Sequence, residues 1–193
     1  IVYWFLEVAD WIPDVDLAAF LAVCDPPVYV GFGSMPSVDP ERLTGLVVEG
    51  LRRAGKRGLL ATNGGALGRI KASENLHVIA DAPHDRLLPL VGATLHHGGA
   101  GTTGAALRAG LPTAICPFFG DQPFWARRVV ALGVGPPPLD KRATTADDLA
   151  AAFAAMDDPL IRARAARLGA AIRSEDGIET AIQFIEKRVK WPS

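Results

Sequence analysis

A chain of 193 residues that is 49% hydrophobic and 21% charged has the size and composition of one globular domain with a sizeable core, not of a disordered segment. Its formal net charge of −1 supplies no basic stripe, which argues against nucleic acid as a partner. Two cysteines, Cys24 and Cys116, both in apolar surroundings, make neither a disulfide framework nor a metal knuckle and read as reduced core thiols of a cytoplasmic protein.

Residues 1–6 are apolar but lack an initiating Met and the basic flank and cleavage site of a signal peptide, so the chain reads as a fragment of a longer protein. Residues 1–24 form a lead-in or linker, with an amphipathic helix over 17–23. A β-rich run follows at 28–32, between Gly31 and Gly33. Helical periodicity runs over 40–54, with Asp39 as N-cap and Gly55 as stop. Strands are expected at 58–61 and 76–80, a short helix at 84–90, a strand at 93–95 and a helix at 102–109. A strand at 113–116 and a helix at 123–132 follow. Beyond Pro136-Pro137-Pro138 come helices near 145–156, 159–173 and 177–190. Strands alternating with helices imply βαβ units, a mainly parallel sheet and a Rossmann-like three-layer α/β domain over 25–176. Such sheets bind ligands outside the carboxyl ends of their strands, and each glycine-rich or polar block here follows a strand.

The richest of these blocks is His96-His97-Gly98-Gly99-Ala100-Gly101-Thr102-Thr103. Glycines let backbone N–H groups approach a ligand, and a helix start adds unpaired donors and a positive dipole end. That combination seats a phosphate. Gly120-Asp121-Gln122-Pro123 offers a carboxylate beside a carboxamide, a pair suited to adjacent sugar hydroxyls. Asp121 also reads as an N-cap. Gly31-Phe32-Gly33-Ser34 lacks the third glycine of a dinucleotide fingerprint, and no Gly-Lys-Ser/Thr of a P-loop occurs. Nothing at metal-ligand spacing accompanies the histidines, so no metal is expected. Arg162, Arg164, Arg167 and Arg173 recur at helical spacing and read as a solvated face.

The blocks VYVGFGSM (28–35), HHGGAGTTGAALRAGLPT (96–113) and PFFGDQPFWARRV (117–129) resemble the C-terminal half of the UDP-dependent glycosyltransferases of the GT-B fold. The resemblance is to the sterol-glucosyltransferase-like branch, with the antibiotic aglycone glycosyltransferases as near relatives, and it covers roughly residues 1–160. It implies a donor-binding domain facing an acceptor domain that this chain lacks. It assigns the donor diphosphate to Ser34, His96, Gly98, Gly99, Ala100, Gly101 and Thr102, with His96 stabilising the leaving group. Asp121 and Gln122 would hold the hexose. The loop containing Ile79, Ala80, Pro83 and His84, together with Asn63, would receive the base. The helix at 177–193 would cross back to the acceptor domain, which would supply the catalytic base.

The implied activity is inverting hexose transfer from UDP-glucose or a TDP-sugar to a sterol, lipid or natural-product hydroxyl, without metal or cofactor. The isolated chain would at most hydrolyse donor. Relatives often carry an aromatic where this chain has Asn63 or Arg86, and plant relatives carry a ribose-binding Glu where Gly104 stands. A UDP-sugar epimerase or hydrolase and a non-catalytic nucleotide-sugar sensor remain as alternatives. The apolar residues 1–5 and the nearby tryptophans fit peripheral membrane contact as well as core packing.

Overall fold

The computed structural model describes residues 11–23, 25–33, 35, 39–62 and 65–188. The expected segment 1–6, Cys24, Ser34 and Asn63 lie outside these residues. Among them, five strands form one sheet: β1 (Val28–Gly31), β2 (Gly58–Ala61), β3 (Leu76–Ile79), β4 (Ala93–His96) and β5 (Thr113–Ile115). All pairings are parallel, in the order β3-β2-β1-β4-β5. Crossovers between parallel strands need intervening chain, and helices supply most of it: α2 (Pro40–Arg53), α3 (His84–Leu87) and α4 (Ala100–Ala109). Helices α1 (Val15–Leu21), α5 (Gln122–Ala131), α6 (Ala146–Ala155), α7 (Pro159–Arg173) and α8 (Gly177–Glu186), with a 3-10 turn at Leu88–Leu90, complete the described elements.

Central strands covered on both faces should be buried throughout, and every residue of β1 and β4 is. On one face Val28, Val30, Phe32, Leu60 and Leu95 pack with Val47 and Leu51 of α2 and Leu149 and Phe153 of α6. The other face packs Tyr29 and Leu59 against Leu17 and Phe20 of α1, Leu87 of α3 and Ala106 of α4. The fold is therefore the three-layer α/β arrangement that strand–helix alternation implied.

Local chemistry explains the element ends. Asp39 caps α2 through Arg42 N–H at 2.9 Å, and Thr145 and Asp148 form a reciprocal capping box on α6. Gly50 lets α2 approach α6, because a Cβ there would lie 2.7 Å from Leu149 Cβ. Part of the expected lead-in belongs to the core. The buried Arg57 guanidinium donates to the Phe20 and Asp25 carbonyls at 2.6 and 2.9 Å and lies over the Phe20 ring, tying α1 to the start of β2. Helix α8 buries no residue and exposes Ile178, Ile182, Phe184 and Ile185.

Candidate functional site

Strand order reverses between β1 and β4, and a parallel sheet opens a crevice where its order reverses. Gly31 at the end of β1 is paired in register with His96 at the end of β4, so the loops leaving the two strands lie side by side. Gly33 turns the first loop with φ +56°. Gly98 turns the second with φ +88°, where a Cβ would also lie 2.7 Å from Ile115 Cγ2 and 3.2 Å from the Gln122 carbonyl. Both conditions require glycine. Gly99 is the N-cap of α4, which begins at Ala100, two residues before the start expected from sequence. The N–H groups of Gly101 and Thr102 therefore fall in its first turn, where no intrahelical carbonyl is available. Gly101 is exposed with open space around its Cα. This is a backbone cradle at the positive end of a helix.

The two histidines part company here. His96 was expected to face the phosphate, but it is the last residue of β4 and not the first of the loop. Its side chain is fully buried, and Nδ1 accepts from Gly98 N–H at 2.9 Å. Burial, with smaller contributions from His97 and His84, lowers its pKa to about 3, so the ring is neutral. A side chain at this strand end lies in the sheet layer and braces the turn from beneath.

His97 is the imidazole that the strand delivers to the crevice. A Cβ on Gly33 would lie 3.2 Å from its Cε1, and a Cβ on Gly99 would collide with its Nε2. The ring thus sits between the two loops, in space that the two glycines leave. Burial lowers its pKa; the Gly31 carbonyl and the Asp121 carboxylate oppose that effect, and His84 adds to it. The sequence reading ended β4 one residue early and so did not separate the two histidines. The signal was the alternation of side chains along the strand, continued one position further.

Asp121 stands exposed at the N-cap position of α5 without a capping bond, and its Oδ2 accepts from Trp125 Nε1 at 2.8 Å. Gln122, expected to share sugar hydroxyls with it, is only 4% exposed. Its Oε1 accepts from Phe118 and Phe119 N–H at 2.6 and 3.0 Å, and its Nε2 lies 3.2 Å from Met35 Sδ. In this structure Gln122 shapes the loop before α5, and its acceptor oxygen is engaged by that loop's backbone.

The 79–84 loop leaves β3 at the same end of the sheet. Ile79 closes β3 and its carbonyl accepts from Thr62 N–H at 3.0 Å; Ala80 is exposed, and Pro83 and His84 are half-buried at the start of α3. Tyr29 Oη lies 3.1 Å from His84 Nε2. Burial lowers the His84 pKa against the pull of Asp81 and Asp85. The exposed arginines of α7 lie on a helix packed against α4. Among the described residues no group of three His, Cys, Asp or Glu side chains is placed to hold a metal ion, and no helix is long and apolar enough to cross a membrane.

Comparison with known proteins identifies the fold and the family of the chain. The chain is 40% identical over 189 residues to sterol 3-beta-glucosyltransferase UGT80A2 of Arabidopsis thaliana, covering 97% of this chain and 30% of that protein. It is 44% identical over 202 aligned positions to a sterol 3-beta-glucosyltransferase of Emericella nidulans, covering 98% and 14%. The chain thus spans less than a third of the length of these relatives. Its fold matches spinosyn forosaminyltransferase SpnP with a TM-score of 0.74 at 23% identity, over 97% of this chain and 48% of that one. It matches Os79 from O. sativa at 0.75 and 22% identity, over 92% and 45%. The fold is therefore that of one half of a GT-B glycosyltransferase. Residues 62–184, well over half of the chain, match the family described as erythromycin biosynthesis protein CIII-like, C-terminal domain, and the chain belongs to that family.

Proposed function

We propose that this chain is the donor-binding domain of an inverting glycosyltransferase that moves a hexose from a UDP- or TDP-sugar to a hydroxyl of a sterol, lipid or natural product. The observation that carries the reading is the cradle at the β1/β4 switch point: the α4 N-terminus, the Gly98 turn, and the His97 ring between Gly33 and Gly99. It offers converging donors where a nucleotide diphosphate would lie. The chain's relatives include sterol 3-beta-glucosyltransferases, and Os79, which shares the fold, has been solved in complex with UDP and deoxynivalenol-3-glucoside.

In the proposed reaction an acceptor hydroxyl, deprotonated by a base from the partner domain, attacks the anomeric carbon from the face opposite the leaving nucleotide. The bond from that carbon to the diphosphate oxygen breaks, and the diphosphate gains negative charge. The cradle amides of residues 98–102, the Thr102 hydroxyl and His97 stabilise that charge, which is electrostatic catalysis of the oxyanion-hole type. Asp121 accepts hydrogen bonds from hexose hydroxyls, and the 79–84 loop receives the base. His96 and Gln122 hold the two site loops from beneath. Ser34 and Asn63, which follow Gly33 and Thr62 in sequence, are retained as donor-side candidates. Helix α8, with its exposed isoleucines, is the segment proposed to return to the acceptor domain.

The test is calorimetric titration of the chain with UDP, UDP-glucose, TDP-glucose and NAD in EDTA, for wild type, His97→Ala and Asp121→Ala. UDP or TDP-glucose should bind, with His97→Ala weakening both UDP and UDP-glucose. Asp121→Ala should weaken UDP-glucose more than UDP. Tight NAD binding with no response to nucleotide-sugars would refute the reading.

A further inference from the structure

We propose that Tyr29 is a positioning residue for the 79–84 loop: its buried hydroxyl donates to Nε2 of His84, which fixes the His84 tautomer and seats the loop against the sheet. Tyr29 lies on the central strand with 4% exposure, and its ring runs along the sheet over Gly31, where a Cβ would overlap the Tyr29 hydroxyl. A glycine two positions along β1 therefore serves the tyrosine as well as the crevice. The hydroxyl reaches His84 Nε2 at 3.1 Å, and the rings meet edge to face with centroids 5.7 Å apart at 83°. No other partner of the hydroxyl is seen among the described residues, so the phenol is the donor and Nε2 the acceptor. His84 then carries its proton on Nδ1. Burial raises the Tyr29 pKa and lowers that of His84, which keeps both groups neutral. Asp81 and Asp85 on the loop side are the charged groups that act on this pair, and His84 in turn acts on His96 and His97 on the β4 side.

The consequence for ligand binding rests on the donor-site reading above. A loop whose α3 end is pinned to the sheet by this part-buried hydrogen bond meets the nucleotide preformed, and freeing it moves the ordering cost into the binding step. The test is Tyr29→Phe in the whole chain, read by 15N-resolved histidine correlations at neutral pH and by UDP titration. Wild-type His84 should show the Nδ1–H tautomer; Tyr29→Phe should shift it towards Nε2–H and raise the His84 pKa. UDP affinity should fall about three- to tenfold, the range expected for one net hydrogen bond. Leu59→Val, a change on the register neighbour of Tyr29, controls for general loosening of that face and should leave affinity unchanged. A wild-type His84 protonated on Nε2, a tautomer indifferent to Tyr29→Phe, or an affinity loss no larger than that of Leu59→Val would overturn the proposal. Failure of the wild type to bind UDP would overturn the donor-site reading instead, while the tautomer measurement still decides the pairing.

Discussion

His96→Asn tests the division of labour between the two histidines. The His96 ring is fully buried, accepts from Gly98 N–H through Nδ1, and has no partner for Nε2 among the described residues. Protonation would place a cation in a dry site without a carboxylate, and the pKa falls to about 3. In the unfolded chain an ordinary imidazole titrates near pH ~6.5. Between those values the unfolded state binds a proton that the folded state refuses, so stability rises with pH across the window. The contribution is fully present above the unfolded value and is lost as the pH falls towards 3. From pH ~6.5 to ~4.5 the slope climbs from half to nearly all of about 1.4 kcal/mol per unit and removes about 2 kcal/mol, a large share of a typical domain's stability. Asn offers an oxygen near the position of Nδ1 for the same Gly98 amide and does not titrate. At neutral pH the variant should be less stable, by roughly 1–3 kcal/mol for lost packing. As the pH is lowered that gap should close and then reverse. Urea denaturation followed by tryptophan fluorescence at several pH values measures it. The depressed pKa values of His84 and His97 act in both proteins and cancel in the difference. Parallel pH–stability curves for wild type and His96→Asn would refute the assignment of His96 to the fold.

Three further outcomes follow from the site geometry. Gly99→Ala suits the backbone, whose φ of −61° and ψ of 142° any residue adopts, but its Cβ takes the space of the His97 ring; calorimetry should show UDP affinity falling at least about tenfold, or about 1.4 kcal/mol, with a small change in melting temperature. Gln122→Ala strands the Phe118 and Phe119 amides and should cost about 2–4 kcal/mol, seen as a fall of roughly 5–15 °C in a thermal melt; an unchanged melt would make the residue a ligand contact only. Because burial lowers the His97 pKa and a bound diphosphate raises it, UDP-glucose binding should take up a fraction of a proton and tighten as the pH falls towards 6. Calorimetry in buffers of differing ionisation enthalpy measures the uptake, and its persistence in His97→Asn would assign it elsewhere.

Much of this architecture was legible because it rests on local chemistry. The βα alternation and the Asp39 cap are short-range features, and each appears where the sequence put it. What escaped the sequence was the side on which a side chain emerges at a strand end. Ending β4 at Leu95 makes His96 a loop residue facing ligand; continuing it by one residue buries His96 and delivers His97 to the crevice. A shift of one position reverses the face because the strand period is two. The same blindness covers Gln122, whose carboxamide chemistry suits a sugar but whose oxygen serves two backbone amides three and four residues away. Composition and spacing identify groups capable of holding a ligand; they do not reveal which groups the fold has already engaged. That distinction is set by tertiary hydrogen bonding: His96 and Gln122 are buried and bonded to loop backbone, whereas the one side-chain bond of Asp121, from Trp125, lies at the exposed surface. In both pairs the residue proposed to meet the donor has a neighbour engaged with the loop backbone. A diphosphate site built from backbone amides depends on that neighbour, because the amides can stabilise charge only while the turn that presents them is held in place.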